Sequence, residues 1–318
     1  MSDIDQAISA IVRDCLGVRE GEEVLVIANP ATIGLGERLR AEAGRAGADG
    51  VLALMADREV DGAEPPASVG AAMAAADVVL APTVKSLSHT AARRAATEQG
   101  VRIATLPGAT EEMLARTMSA DMEGLHRKGV AIAERLTAAG EARITDANGS
   151  DLRFGLCDRA GIPDDGNLTA RGAFGNLPCG EGFIAPVEGT AAGRLVVDGT
   201  IAGFGRVSEL VELTVEGGHL VDARGGQGPE LLEVLRRAGA EGTNVAELGI
   251  GTNERAELTG NLLEDEKLLG TAHVAFGASA SIGGTVQVPV HIDCVVLEPE
   301  VTVDGEPIAR AGELLVGG

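Results

Sequence analysis

Over the first 140 residues, short and wholly apolar runs alternate with Ala-rich stretches of helical period. Glu23–Ala28 (EVLVIA) is predicted as a buried strand and Ile33–Ala46 as the helix that follows it. Val51–Met55, Asp77–Ala81 and Val101–Leu106 read as three more strands. Ala67–Ala76, Thr90–Glu98 and Glu111–Leu136 read as helical segments. Strands that are apolar on both faces must be covered on both faces, which implies βαβ units and a parallel sheet. After the first strand the chain reads ANPATIGLG rather than GxGxxG, so a dinucleotide site is not supported.

From residue 141 the pattern changes to β-rich runs separated by Gly-containing turns. Arg143–Thr145 and Asp151–Phe154 flank Asn148-Gly149, a strong hairpin signal. Leu195–Ile201, Leu210–Ala223 and Val301–Ile308 are read as further hairpins on Asp-Gly or Gly-Gly turns. One helix stands out at Pro229–Ala238, ended by Gly239. The expected fold class is α/β: a parallel-sheet domain over residues 1–140, then a β-rich domain over residues 141–318 that carries the chemistry. A length of 318 residues suits two domains.

Composition narrows the chemistry. With five Phe, no Tyr and no Trp, the core is packed from aliphatic side chains, and mechanisms that need a tyrosine hydroxyl are excluded. A net charge of −22 argues against nucleic-acid partners and against docking on an anionic membrane. Cys15, Cys157, Cys179 and Cys294 form no CxxC pair, so neither a disulfide framework nor a zinc ribbon is expected. The N-terminal MSDIDQAISAIVRDC lacks an apolar h-region, and no run approaches the roughly 18 apolar residues of a membrane span. The cytoplasm is the expected compartment.

Carboxylates and imidazoles concentrate in four segments of the second half: NLPCGEGFIAP, AELGIGTN, LLEDEKLLGTAHVAFG and VPVHIDCVVL. Side chains at i and i+2 of a strand share a face, so His291 and Asp293 point the same way while Ile292 faces the apolar side. A divalent cation would satisfy that polar pair; a plain His–Asp hydrogen bond would too. His273 lies in a second apolar run, and pairing the two as antiparallel strands would put both histidines on one sheet face. Two His and one Asp can make the facial triad of iron(II) or part of a zinc site. Added glutamates would allow two bridged ions, suited to metal-assisted hydrolysis. Glu181 and Glu247 sit beside glycines in turn-like settings, either aimed inward or as exposed loop acids. Within LEDEK, chemistry alone does not choose among Glu264, Asp265 and Glu266, and a solvated turn is the simplest reading. His89 falls just after the third strand, where parallel sheets bind ligands. It is either a substrate contact or proton shuttle, or incidental beside a helix cap at Ser88 or Thr90.

NLPCGEGF, ELGIGTN, LLEDEK, AHVAFG and HID, in this order, resemble the thermophilic aminopeptidase T family of metallopeptidases across most of residues 140–306. The resemblance implies metal ligands at Glu181, Glu247, Glu266, His273, His291 and Asp293, which share two divalent ions (zinc, cobalt or manganese). It also implies an N-terminal α/β domain, a β-rich metal domain, a homodimer, and hydrolysis of N-terminal amino-acid amide or peptide bonds by metal-activated water. Glu247 would stand near that water as ligand or general base. Family aminopeptidases carry a Tyr a few residues beyond the match to His273, whereas this chain reads AFGASASIGG there. A related branch, the 2,5-dihydroxypyridine dioxygenases, holds one iron(II) by a set matching His273, His291 and Asp293. The retained glutamates make the two-metal hydrolase the expectation, with the iron(II) dioxygenase as alternative. The missing Tyr keeps a third class open, a metal-stabilised ligand-binding protein without activity.

His291→Ala and Asp293→Ala should each abolish activity and sharply lower metal content while leaving the circular dichroism spectrum unchanged. Wild-type metal content in either variant would remove that residue from the ligand set.

Overall fold

The computed structural model describes residues 2–317. Contacts divide the chain into two compact units: Met1–Met122 with Gly166–Cys179, and Glu123–Asp165 with Gly180–Gly318. In the first, five parallel strands lie in the order Asp49–Leu54, Glu23–Ala28, Val78–Ala81, Arg102–Thr105, Phe174–Asn176. The first four are the strands read from the apolar runs; the fifth comes from a later excursion of the chain. Leu25, Ile27, Val79, Ala81 and Ile103 pack against Val69, Met73, Leu87 and Ala96 on one side of this sheet. Helix starts follow capping chemistry: the Thr90 and Thr110 side chains accept from the amides of Arg93 and Met113.

Two differences from the sequence reading concern continuity. The helical segment expected over Glu111–Leu136 is two helices, Glu111–Thr117 and Met122–Ala138. Between them the Ser119 hydroxyl donates to the Arg116 carbonyl at 2.6 Å, the local competition that Ser offers a helix. The single boundary near Gly140 is replaced by three crossings. Phe174–Asn176 returns to the parallel sheet, while Ile132 and Leu136 of the long helix belong to the core of the second unit.

The second unit is built on two antiparallel sheets, one of eight strands and one of seven. The hairpins around Asn148-Gly149, Gly217-Gly218 and Asp304-Gly305 form as expected. Leu195–Ile201 does not form one. Ala192–Val197 belongs to the eight-stranded sheet and Thr200–Ile201 to the seven-stranded sheet, so the Asp198-Gly199 step carries the chain from one to the other. There the Gly199 amide donates to the Val295 carbonyl, and Asp198 accepts from the amide of Leu297.

The seven-stranded sheet positions the candidate residues. Its order is Gly205–Arg206, Thr200–Ile201, His291–Val296, Ala272–Gly277, Val245–Gly251, Glu181–Ile184, Ile162–Asp164. AELGIGTN is thus a central strand rather than a Gly-rich turn, and Glu181 opens a strand. Leu248, Ile250, Val274, Phe276, Ile292 and Cys294 enter a core shared with Ile144, Leu152, Phe154, Leu195 and Leu213 of the other sheet. Alternation sends their neighbours to the opposite face. Register places Asp164 opposite Glu181, Glu181 opposite Gly251, and Gly249 opposite His273. Ala275 lies opposite both Glu247 and Asp293.

Glycine at the two open positions of the central strand has a steric cause. A Cβ on Gly249 would fall inside the imidazole of His273, and one on Gly251 inside the Leu268 carbonyl. Among the described residues no helix is long and apolar enough to cross a membrane. Gly249→Ala should therefore destabilise the protein by about 1–3 kcal/mol through overpacking, read as a lower urea midpoint. An unchanged midpoint would mean that the ring has room to move.

Candidate metal centre

The second unit brings Glu181, Glu247, Glu266, His273, His291 and Asp293, all six sequence candidates, to one buried face. Glu181, Glu247 and His273 form one group able to hold an ion, and Glu247, His291 and Asp293 form another. Glu247 is common to both. Its Oε1 lies 3.2 Å from His273 Nε2, and its Oε2 lies 3.4 Å from His291 Nε2. Glu181 Oε2 stands 3.0 Å from His273 Nε2, and Asp293 Oδ1 stands 3.6 Å from His291 Nε2. The antiparallel pairing of Ala272–Gly277 with His291–Val296 is what puts both imidazoles on this face.

His291 is aimed by its backbone surroundings. Its Nδ1 lies 2.8 Å from the Ala278 carbonyl, which can only accept, so Nδ1 donates and Nε2 faces the acids. His273 has no such support: its Nδ1 is buried without a hydrogen-bond partner. Glu181 Oε2 is likewise buried and accepts no hydrogen bond.

The three acids of LEDEK have different partners, and none lies in a solvated turn. Asp265 accepts from the amides of Thr259 and Gly260 at 2.7 and 2.8 Å and from the Thr200 hydroxyl at 2.5 Å. Glu264 accepts from the Glu257 amide at 3.0 Å. These two acids hold the loop. Glu266 instead meets the ammonium of Lys267 at 2.8 Å and carries repulsion from Glu181 and Asp293. Geometry thus picks Glu266 as the acid belonging to the cluster.

Sequence reading missed two members. Lys267 is fully buried, and its Nζ contacts Glu181 Oε1, Glu266 Oε1 at 2.8 Å and Asp164 Oδ2 at 3.1 Å. Asp164 ends the strand Ile162–Asp164 beside Glu181. The available signal was the lysine directly after three acids, which a solvated-turn reading passes over.

Burial opposes charge on every one of these groups, and the neighbours decide which way each shifts. Against that burial, the two imidazoles hold Glu247 down to about 2, and Lys267 and His273 hold Glu181 below its usual range. Burial wins for Asp164, raised to about 7, and for Glu266, raised to about 8, despite Lys267 beside both. Burial would lower both imidazoles, but Glu181 and Glu247 push His273 well above its ordinary value, and Asp293 and Glu247 do the same for His291. Five buried carboxylates have a single ammonium among them, and three of the cluster's polar atoms, Asp164 Oδ2, Glu181 Oε2 and His273 Nδ1, are buried without a hydrogen bond. A divalent cation fits this donor set in charge and in its mixture of carboxylate oxygen and imidazole nitrogen.

His89 lies in the other unit, on the segment between the strand Val78–Ala81 and the helix Ala91–Glu98. It is exposed, Thr90 performs the capping, and the His89 carbonyl accepts from Arg94 at 2.7 Å.

Comparison with known proteins follows this geometry. The solved structure of 2,5-dihydroxypyridine dioxygenase from Pseudomonas putida KT2440 is similar with a TM-score of 0.86 at 20% identity, covering 99% of this chain and 98% of that one. Wild-type AmpT from Thermus thermophilus is similar with a TM-score of 0.73 at 20% identity, covering 99% of each chain. At that identity both likenesses establish the shared two-domain fold. No curated protein sequence matches the chain. The family model for NicX, 2,5-dihydroxypyridine 5,6-dioxygenase, matches residues 39–316. With that match running through both units and every residue of the buried cluster, the chain belongs to the NicX family.

Proposed function

We propose that this protein is an iron(II)-dependent dioxygenase that opens the ring of a small hydroxylated heteroaromatic of the dihydroxypyridine type. The observation that carries this reading is the His273, His291 and Asp293 set on one buried sheet face, within a chain matched to the NicX family over residues 39–316. Two imidazoles and one carboxylate are the set that suits non-haem iron(II). Bound there, iron(II) would allow dioxygen to react with a closed-shell ring, the ring itself supplying the electrons as both oxygen atoms enter the opened product.

The chain's own groups have distinct tasks in this proposal. The hydrogen bond from Nδ1 to the Ala278 carbonyl keeps His291 Nε2 turned inward. Glu247 stays ionised between the histidines, so its Oε1 or Oε2 can accept a hydrogen bond from a ring hydroxyl and orient it. Burial of the cluster excludes bulk water, which protects a reactive intermediate from side reactions. Catalysis is assigned to Glu247, and His89 is given no part in it.

A second reading, a two-metal aminopeptidase-like hydrolase, is favoured by the way Glu247 turns one oxygen toward each histidine, as a bridging carboxylate would. Against it stands the absence of any Tyr from the chain.

Anaerobic loading with iron(II), then exposure to oxygen, separates the two. Stoichiometric oxygen uptake with 2,5-dihydroxypyridine, and no hydrolysis of amino-acid amides with zinc, cobalt or manganese, is the expected result. Amide hydrolysis without oxygen uptake would decide for the hydrolase.

Metal binding should also be strongly pH-dependent. The surrounding acids raise both imidazoles above their ordinary value against the effect of burial, so each holds its proton to higher pH than a free imidazole and an incoming ion must displace it. Affinity should therefore rise with pH, with release of about two protons per ion, measured by calorimetry in buffers of different ionisation enthalpy. Proton-independent binding would place the ion away from the histidines.

A further inference from the structure

The carboxylate row is divided into two ends by what each acid faces. At one end Glu247 and Asp293 face His273 and His291. At the other, Asp164, Glu181 and Glu266 converge on the ammonium of Lys267. Glu181 stands between the ends, with Oε1 on the ammonium and Oε2 toward His273. We infer that Lys267 is a built-in cation that takes up Glu181 in place of a second ion and restricts this centre to one divalent metal.

An ammonium has three donors, and here three carboxylates stand around it. A second divalent ion would have to draw on the Glu181, Glu247 and His273 group, which shares Glu181 with the ammonium. Glu181 already gives Oε1 to the ammonium, so an ion held by its Oε2 would stand close to a fixed like charge in a buried setting. Lys267 cannot move aside readily. Its amide donates to the Glu264 carbonyl at 2.9 Å, its carbonyl accepts from the Asn253 amide at 2.8 Å, and its side chain is wholly buried. Being part of the chain, it is present at every folded centre, whereas a metal must compete for Glu181 from solution.

A lysine that only neutralised buried acids for stability would leave the metal count unchanged when replaced by a neutral side chain that folds. The inference therefore makes Lys267 a determinant of stoichiometry. It rests on the reading that this centre binds a divalent metal, and a count of one favours the oxygen chemistry over the two-metal hydrolase.

The test is metal counting. Metal-free protein is incubated with excess cobalt(II), desalted, and assayed for bound cobalt by mass spectrometry against protein concentration. The wild type should hold one ion per chain, Lys267→Arg one, and Lys267→Met two. If Lys267→Met does not fold, Glu266→Gln in the otherwise native chain gives the answer: it should still hold one ion, because Glu266 serves the ammonium rather than the metal. Two ions in the wild type, one in a folded Lys267→Met protein, or loss of the ion in Glu266→Gln would each overturn the inference. No bound ion in the wild type would overturn the metal reading and this inference together. Two ions would leave the metal reading standing and remove the role of Lys267.

Discussion

The second unit is organised around a surplus of buried negative charge. Asp164, Glu181, Glu247, Glu266 and Asp293 are all buried, and one ammonium lies among them. An ionised carboxylate moved out of water is costly unless it is paired or coordinates a cation. In the metal-free chain the surplus is met partly by protons: the two imidazoles take them up against the trend of burial, and Asp164 and Glu266 hold theirs to about pH 7 and 8. The imidazole protons occupy places that a metal ion would fill. The cluster is thus set up for exchange between protons and a divalent cation.

A sheet is well suited to holding such a cluster. Strand alternation puts an aliphatic face and a charged face on the same residues' backbone, so the packing that stabilises the unit also fixes the spacing of the acids. Leu248, Val274, Ile292 and their neighbours anchor each strand in the shared core, and the charged side chains cannot shift without shifting those anchors. Where two large groups would collide across strands, a glycine gives way, as Gly249 does beneath the His273 ring. The aromatic-poor composition fits this design, since the core between the sheets is filled by branched aliphatic residues with only Phe154 and Phe276 among its fully buried rings.

Much of this was legible in the sequence wherever periodicity and chemistry agreed. The first four parallel strands are short, mostly apolar runs, and three Gly-containing hairpins form where their turns are written. His291 and Asp293 share a face because period two is a property of any strand. Legibility failed where glycine meant something other than a turn. In AELGIGTN the glycines make room for side chains from neighbouring strands, information that resides in the partner strand and not in the segment. The Asp198-Gly199 step has the composition of a hairpin turn, yet the chain changes sheets there. LEDEK looked solvated because acids usually are, and only tertiary contact shows that Asp265 and Glu264 brace a loop while Glu266 faces Lys267. Asp164 lies outside every motif, and nothing local marks it.

The resemblance to aminopeptidases and the membership of a dioxygenase family point to two chemistries that share one donor row, and the difference between them reduces to how the row's charge is neutralised. Two divalent ions bridged by carboxylate would set four positive charges against the five carboxylates and leave a bound water between them as nucleophile. One ion together with a fixed ammonium neutralises it in part and leaves coordination positions for a substrate and oxygen. A carboxylate such as Glu247, facing both imidazoles, is compatible with either arrangement: a bridge in the first, a hydrogen-bond acceptor beside a single ion in the second. The imidazole end of the row is therefore neutral between the chemistries. The discriminating element is at the other end, where Lys267 sits among Asp164, Glu181 and Glu266. On the inference drawn from its contacts, this buried side chain would set which reaction the same six ligand-type residues support, by fixing how many metal ions they hold.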